Sequence, residues 1–212
     1  PGNYVWSKST GGMTWTQSNI TSGYFELIYY ANGILVAGGS GLYYSTDGKT
    51  WTQSNITSGR FYSVYYGNGL WVAGSGNGLW YSTDGMTWTH SNITSDPANS
   101  VYYANGIWVA GMGVASSSGG GGSSGYMDGL YYSTDGKTWT RSNITRGNYN
   151  SFYYANSLWV ASSNYYGLYY SADGKNWTQS NMTSGSVKSV YSVYYGNNIW
   201  VAGSDTGLYY SI

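Results

Sequence analysis

Residues 41–57 read GLYYSTDGKTWTQSNIT. The run returns as GLWYSTDGMTWTHSNIT at 78–94, GLYYSTDGKTWTRSNIT at 129–145 and GLYYSADGKNWTQSNMT at 167–183. A degenerate copy, SKSTGGMTWTQSNIT, occupies 7–21. A second module alternates with it: IYYANGILVAG (28–38), VYYGNGLWVAG (64–74), VYYANGIWVAG (101–111), FYYANSLWVAS (152–162) and VYYGNNIWVAG (193–203). Self-similarity at a fixed spacing makes the chain a set of copies of one structural unit. Trp15, Trp51, Trp88, Trp139 and Trp177 stand 36, 37, 51 and 38 residues apart, a unit of about 37 residues. The long third interval holds an insertion at 112–128, whose core Ser116–Gly125 is only serine and glycine. That stretch has no apolar side chain to bury and is expected to be a flexible excursion or a joining linker.

Within a unit the apolar period is two. Leu70 and Val72 alternate with Trp71 and Ala73, in runs of strand-forming Tyr, Trp, Val and Thr. Pairs such as Asn68-Gly69 and Asp47-Gly48 are hairpin turn signals. No window carries helical spacing with caps. The second unit predicts four strands, Tyr62–Gly67, Leu70–Ala73, Leu79–Ser82 and Thr87–Ser91, here termed A to D. Repetition of four-stranded antiparallel units predicts an all-β, five-bladed β-propeller forming one domain over 1–212; a flat solenoid is the alternative. Blades are complete at 24–55, 61–92, 99–143 and 150–181, whereas 190–212 holds A, B and C only. The missing D strand is expected from Met13–Ser18, which would close the ring and remove the open sheet edges. Tyr4–Ser7 reads as one more C strand and competes with Gly207–Ile212 for the closing blade.

Ser45-Thr46-Asp47-Gly48-Lys49-Thr50-Trp51 resembles the Asp-box, or BNR repeat, of sialidases and related propellers, in a version one residue shorter between Asp and Trp. It recurs at 82–88, 133–139 and 171–177, so the likeness spans nearly the whole chain. The resemblance implies a structural box on the turn between the third and fourth strands, away from the active face. The residue chemistry agrees. A short Asp side chain accepts N–H bonds within its own turn, and the following Gly supplies unusual dihedrals. Asp47, Asp84, Asp135 and Asp173 are therefore expected to be turn acceptors, with Trp51, Trp88, Trp139 and Trp177 packed between blades.

Composition narrows the functions. Charged residues are 8% of the chain, and 8 Lys+Arg balance 8 Asp+Glu. The basic footprint of a nucleic-acid binder is absent, and no apolar run approaches the roughly 20 residues of a membrane helix. With no Cys, disulfides, thiolate metal sites and cysteine nucleophiles are excluded. The N-terminal PGNYVWSKSTGG lacks a signal-peptide pattern and reads as a processed or excised start. No phosphate loop, zinc spacing or dinucleotide fingerprint occurs, so no cofactor or metal is expected. The resemblance implies that a sialidase would need three arginines, a Tyr–Glu pair and an Asp acid. The arginines here are Arg60, Arg141 and Arg146, and Glu26 is the only Glu. His90 shares its repeat slot with Gln53, Arg141 and Gln179 and reads as a surface position. Catalysis is not expected.

Comparison of the copies locates a face that varies. The A–B turn (ANG) and the C–D turn (TDGKT) barely change, whereas the D–A and B–C links change greatly. Both variable sets emerge on one side of an up-and-down blade, and binding favours loops on rigid scaffolds. Their palette of Tyr, Ser, Gly and Asn with a few charges suits stacking and adaptable hydrogen bonding. Candidate ligand-binding residues are Tyr24, Arg60, Asp96, Tyr126, Asp128, Arg146, Tyr149, Tyr165, Tyr166, Lys188 and Asp205. The expectation is a monomeric, non-catalytic binding module for a glycan or a protein surface, in a secreted, cell-surface or virion setting. The alternative is a repeat-amplified or engineered interaction scaffold, with a sialidase-like hydrolase behind both.

Overall fold

A computed structural model describes residues 14–113, 129–182 and 189–212. Among them the fold is all-β, with five antiparallel sheets in chain order. The first sheet is β1 (Phe25–Ala31), β2 (Ile34–Gly39), β3 (Gly41–Ser45) and β4 (Thr52–Gln53). The second is β5 (Phe61–Gly67), β6 (Leu70–Ser75), β7 (Gly78–Ser82) and β8 (Thr89–His90). The third is β9 (Ala98–Ala104), β10 (Ile107–Met112), β11 (Gly129–Ser133) and β12 (Thr140–Arg141). The fourth is β13 (Asn148–Ala155), β14 (Leu158–Asn164), β15 (Gly167–Ser171) and β16 (Thr178–Gln179). The fifth has three strands, β17 (Val190–Gly196), β18 (Ile199–Ser204) and β19 (Gly207–Ser211).

The predicted A, B and C strands are present, and each D strand shrinks to two paired residues. The A–B hairpins follow from local chemistry. Asn32, Asn68 and Asn105 hold φ of 48–50° and the glycines after them 75–77°, the two left-handed positions of a type I′ turn. Asn156-Ser157 and Asn197-Asn198 adopt the same conformation without glycine, Ser157 at φ 59° and Asn198 at φ 61°.

The core lies between sheets. Trp88 packs with Ile34, Val36 and Leu42 of the first sheet and Val64, Trp71 and Ala73 of the second. Trp139 repeats this between the second and third sheets, and Trp177 joins the next cluster. Each of these three box indoles is at most 4% exposed, so burial of a large ring links sheet to sheet.

The segment expected to supply the fifth sheet's D strand is irregular over residues 14–18 and pairs with no strand, and Met13 lies outside the described residues. Trp15 is 88% exposed, and Leu208 and Tyr210 on the last sheet are 81% and 75% exposed. Tyr4–Ser7 and the Ser116–Gly125 stretch also lie outside the described residues, whereas Gly207–Ser211 forms β19.

Candidate functional site

The Asp-Gly turns are closed hydrogen-bond systems. Asp47 Oδ1 accepts the N–H groups of Lys49 and Thr50, both at 2.8 Å, and the Ser45 hydroxyl at 3.0 Å. Ser45 Oγ accepts the Gly48 N–H at 2.9 Å, and Trp51 Nε1 donates to the Gly48 carbonyl at 3.3 Å. Asp84, Asp135 and Asp173 repeat the pattern with Trp88, Trp139 and Trp177. The N–H donors of Thr50 and Lys49 hold the Asp47 carboxyl down at about 2. At Asp84 and Asp135 desolvation pushes upward, and the backbone donors outweigh it. These carboxylates are occupied by the fold.

The turns also carry a clamp between sheets. Asn55 Nδ2 donates to the Trp88 carbonyl at 2.9 Å, and the Trp88 N–H donates to Asn55 Oδ1 at 2.8 Å. Asn19 with Trp51, Asn92 with Trp139 and Asn143 with Trp177 do the same. The Asn of each SNIT run thus grips the next repeat. Its recurrence was visible in the sequence, but a partner 32 to 47 residues away was not.

The variable links interlock on the other side. Ser40 bridges to Arg60, the Gly76 N–H donates to the Arg60 carbonyl at 2.9 Å, and the Asp205 N–H donates to the Ser189 carbonyl at 3.0 Å. The Gly113 N–H donates to the Pro97 carbonyl at 2.9 Å. The A strands bulge where they enter this rim: the register skips Glu26, Tyr62, Asn99, Asn150 and Tyr191. A bulge re-aims a side chain, and this re-aiming escaped the sequence reading because an extra residue in a pairing leaves no local signature.

The candidate residues divide. Tyr24 and Arg60 come together with Glu26 and Tyr62. Arg60 Nε donates to Glu26 Oε1 at 3.0 Å, and a second guanidinium nitrogen closes the ion pair. The Arg60 Cζ lies 5.8 Å from the Tyr24 ring centroid and 5.4 Å from that of Tyr62. The hydrogen bonds from Arg60 lower the Glu26 carboxyl below its usual range. Tyr165 and Tyr166 form the exposed β14–β15 turn, with Tyr165 at φ 76°. Gln179 Nε2 donates to the Tyr166 carbonyl at 2.8 Å. Arg146 and Asp205 are exposed in their links.

Two candidates are buried instead. Tyr149 has no exposed surface; its hydroxyl donates to the Arg146 carbonyl at 3.2 Å, and its ring meets Tyr169 edge-on. Desolvation pushes its hydroxyl far above the ordinary range. It fills the slot held by Phe61 and Ala98 in other copies, and that apolar company was its signal. Asp96 is 5% exposed and accepts the Ser95 hydroxyl at 3.1 Å. His90 is half-buried, with its ring centroid 3.4 Å from that of Trp80, so it is not a plain surface position. Tyr126, Asp128 and Lys188 lie outside the described residues.

No protein-family model and no curated protein matches the chain. Solved structures do. The Dos1 propeller matches 85% of this chain at 12% identity with a TM-score of 0.65, and the chain spans about half of it, 52%. YCF48 bound to D1 peptide matches 93% of this chain at 16% identity and a TM-score of 0.59, over 68% of its own length. The GH74 enzyme of Niastella koreensis matches 84% of this chain at 19% identity and a TM-score of 0.58, over 34% of its length. At such identities the likeness is one of fold, and the fold is that of a β-propeller.

Proposed function

We propose that the chain is a non-catalytic binding module of the Asp-box kind that engages its ligand through the variable rim. The observation that carries this is the Tyr24–Arg60–Glu26–Tyr62 cluster. It places a guanidinium, a carboxylate and two aromatic rings side by side where variable links enter the bulged starts of β1 and β5. The opposite turns spend their carboxylates on their own backbone. A neutral glycan suits the rim, because sugar faces stack on rings while hydroxyls meet Asn, Asp and Ser. Glu26 is held by Arg60 rather than poised near a second carboxylate, which is the arrangement glycoside hydrolysis requires. In this reading an N-terminal strand around Trp15 completes the fifth sheet. A protein ligand is the alternative occupant of the rim, as YCF48, a fold neighbour, is bound to D1 peptide.

A glycan array probed with the intact chain tests the reading. Binding to a defined glycan, reduced at least tenfold by Arg60→Ala and untouched by Lys49→Ala on the opposite turns, is expected. Absence of binding to every glycan removes the lectin reading. Turnover of a fluorogenic glycoside that Glu26→Gln abolishes would replace it with a hydrolase.

A further inference from the structure

Between the fourth and fifth sheets lies a cavity of about 580 Å³. Its walls repeat, position for position, the surroundings of a buried indole elsewhere in the molecule. Val160, Met182, Trp200 and Ala202 line it. They occupy the repeat positions of Val72, Ile93, Trp108 and Ala110, which pack with Trp139 between the second and third sheets. Asn181 stands on the cavity wall in the position of Asn92, which grips both backbone groups of Trp139. Among the described residues no bond to the Asn181 side chain occurs, and β19 has no outer neighbour. The cavity is a tryptophan socket with its clamp open.

The matching plug is at the far end of the same chain. Trp15 is the box tryptophan of the N-terminal repeat and is 88% exposed. Its segment is already seated against the first sheet by the repeat clamp: Asn19 Nδ2 donates to the Trp51 carbonyl at 2.9 Å, and the Trp51 N–H donates to Asn19 Oδ1 at 2.7 Å. The plug is therefore held relative to β1 and the socket relative to β17–β19. Ile28 and Tyr30 on β1 and Tyr194 on β17 face solvent, so the two end faces do not cover each other. Joining them within one chain requires the intersheet interfaces to change angle together, and three of the four are packed around a buried indole, Trp88, Trp139 or Trp177. Close-packed interfaces resist such continuous deformation.

We propose that the socket takes Trp15 from a second copy of the chain, which supplies the fifth sheet's fourth strand in a head-to-tail association. This rests on the reading above, in which an N-terminal strand completes that sheet, and assigns the strand to a partner copy. Asn181 then takes the Trp15 N–H and carbonyl, and Thr16 and Gln17 pair with Tyr210 and Tyr209. That is the register of Thr52 with Tyr44 and Gln53 with Tyr43. The interface is heterologous: plug and socket are different surfaces, so an associated pair still offers one free plug and one free socket to the next copy.

The Cys-free chain permits a direct test. Thr16→Cys and Tyr210→Cys both alter exposed positions. Mixing the two single variants under mild oxidation should give a disulfide-linked species of twice the chain mass, suppressed by Ala202→Trp in the Tyr210→Cys chain. Light scattering of the unmodified chain should show mass rising with concentration, and Trp15→Ala should remove that rise with an unchanged circular dichroism spectrum. A Thr16→Cys/Tyr210→Cys double variant that forms only an internal disulfide would overturn the proposal in favour of closure within one chain. An unmodified chain that stays at single-chain mass at every concentration and a mixture that forms no cross-link would overturn it outright. Glycan binding by the rim is read separately, so either result leaves that question standing on its own assay.

Discussion

Asn55 holds both backbone groups of Trp88, accepting from its N–H at 2.8 Å and donating to its carbonyl at 2.9 Å, across 33 residues of chain. One amide side chain thus satisfies a backbone donor and acceptor at the border of two sheets, beside an indole that is 2% exposed. The repetition of this clamp bonds together sheets that share no strand ladder.

Asn55→Ala is expected to destabilise the chain by about 2–3 kcal/mol, since it strands two polar groups that water reaches poorly. Asn55→Asp keeps the acceptor but turns a carboxylate oxygen on the Trp88 carbonyl in place of the donor, so it should destabilise as well. Urea denaturation checks both, and equal midpoints for Asn55→Ala and the parent chain would refute the clamp.

The box glycines are not equivalent. A Cβ at Gly136 would stand 2.6 Å from Leu70 Cδ2 and 3.0 Å from Trp108 Nε1, at φ 70°; at Gly48, with φ 72°, it meets only Leu35 Cδ1 at 3.3 Å. Both alanine variants carry the left-handed penalty of about 1 kcal/mol. Gly136→Ala adds overpacking of about 1–3 kcal/mol, so its melting temperature should fall well below that of Gly48→Ala.

Asp84 Oδ1 accepts the N–H groups of Met86 and Thr87 at 2.8 Å and the Ser82 hydroxyl at 2.8 Å. Asp84→Ala should lower stability by about 1–2 kcal/mol at neutral pH. The folded carboxyl titrates below its ordinary 3.8. Its contribution is complete above that value and is lost as pH falls through the lowered folded value. The gap between variant and parent in urea midpoint should therefore narrow as pH falls below 3.8.

His90 responds in the same sense for a different reason. Burial beside Trp80 disfavours the imidazolium and lowers its pKa from 6.5. Folding stability is complete above that value and declines as pH falls below it. His90→Gln, the residue found at positions 53 and 179, should flatten the profile between pH 7 and 5. A profile identical to the parent's would show that the imidazole does not titrate with folding.

What the residues themselves determined is the part governed by neighbours in the chain. Alternation of Leu70, Trp71, Val72 and Ala73, the Asn68-Gly69 turn and the Ser82–Trp88 box set strands, hairpins and turn bonding through contacts within a few positions. Repetition then copied one unit along the chain. Tertiary structure decided what depends on distant partners. It buried Tyr149 and Asp96, stacked His90 on Trp80, and turned Glu26 and Tyr62 to Arg60 through bulges that leave no local trace. It also separated Trp15 from the socket whose walls match its own kind. Repeat spacing sets how many sheets form, whereas the angle at which each packs on the next is the sum of many side-chain contacts across the interface.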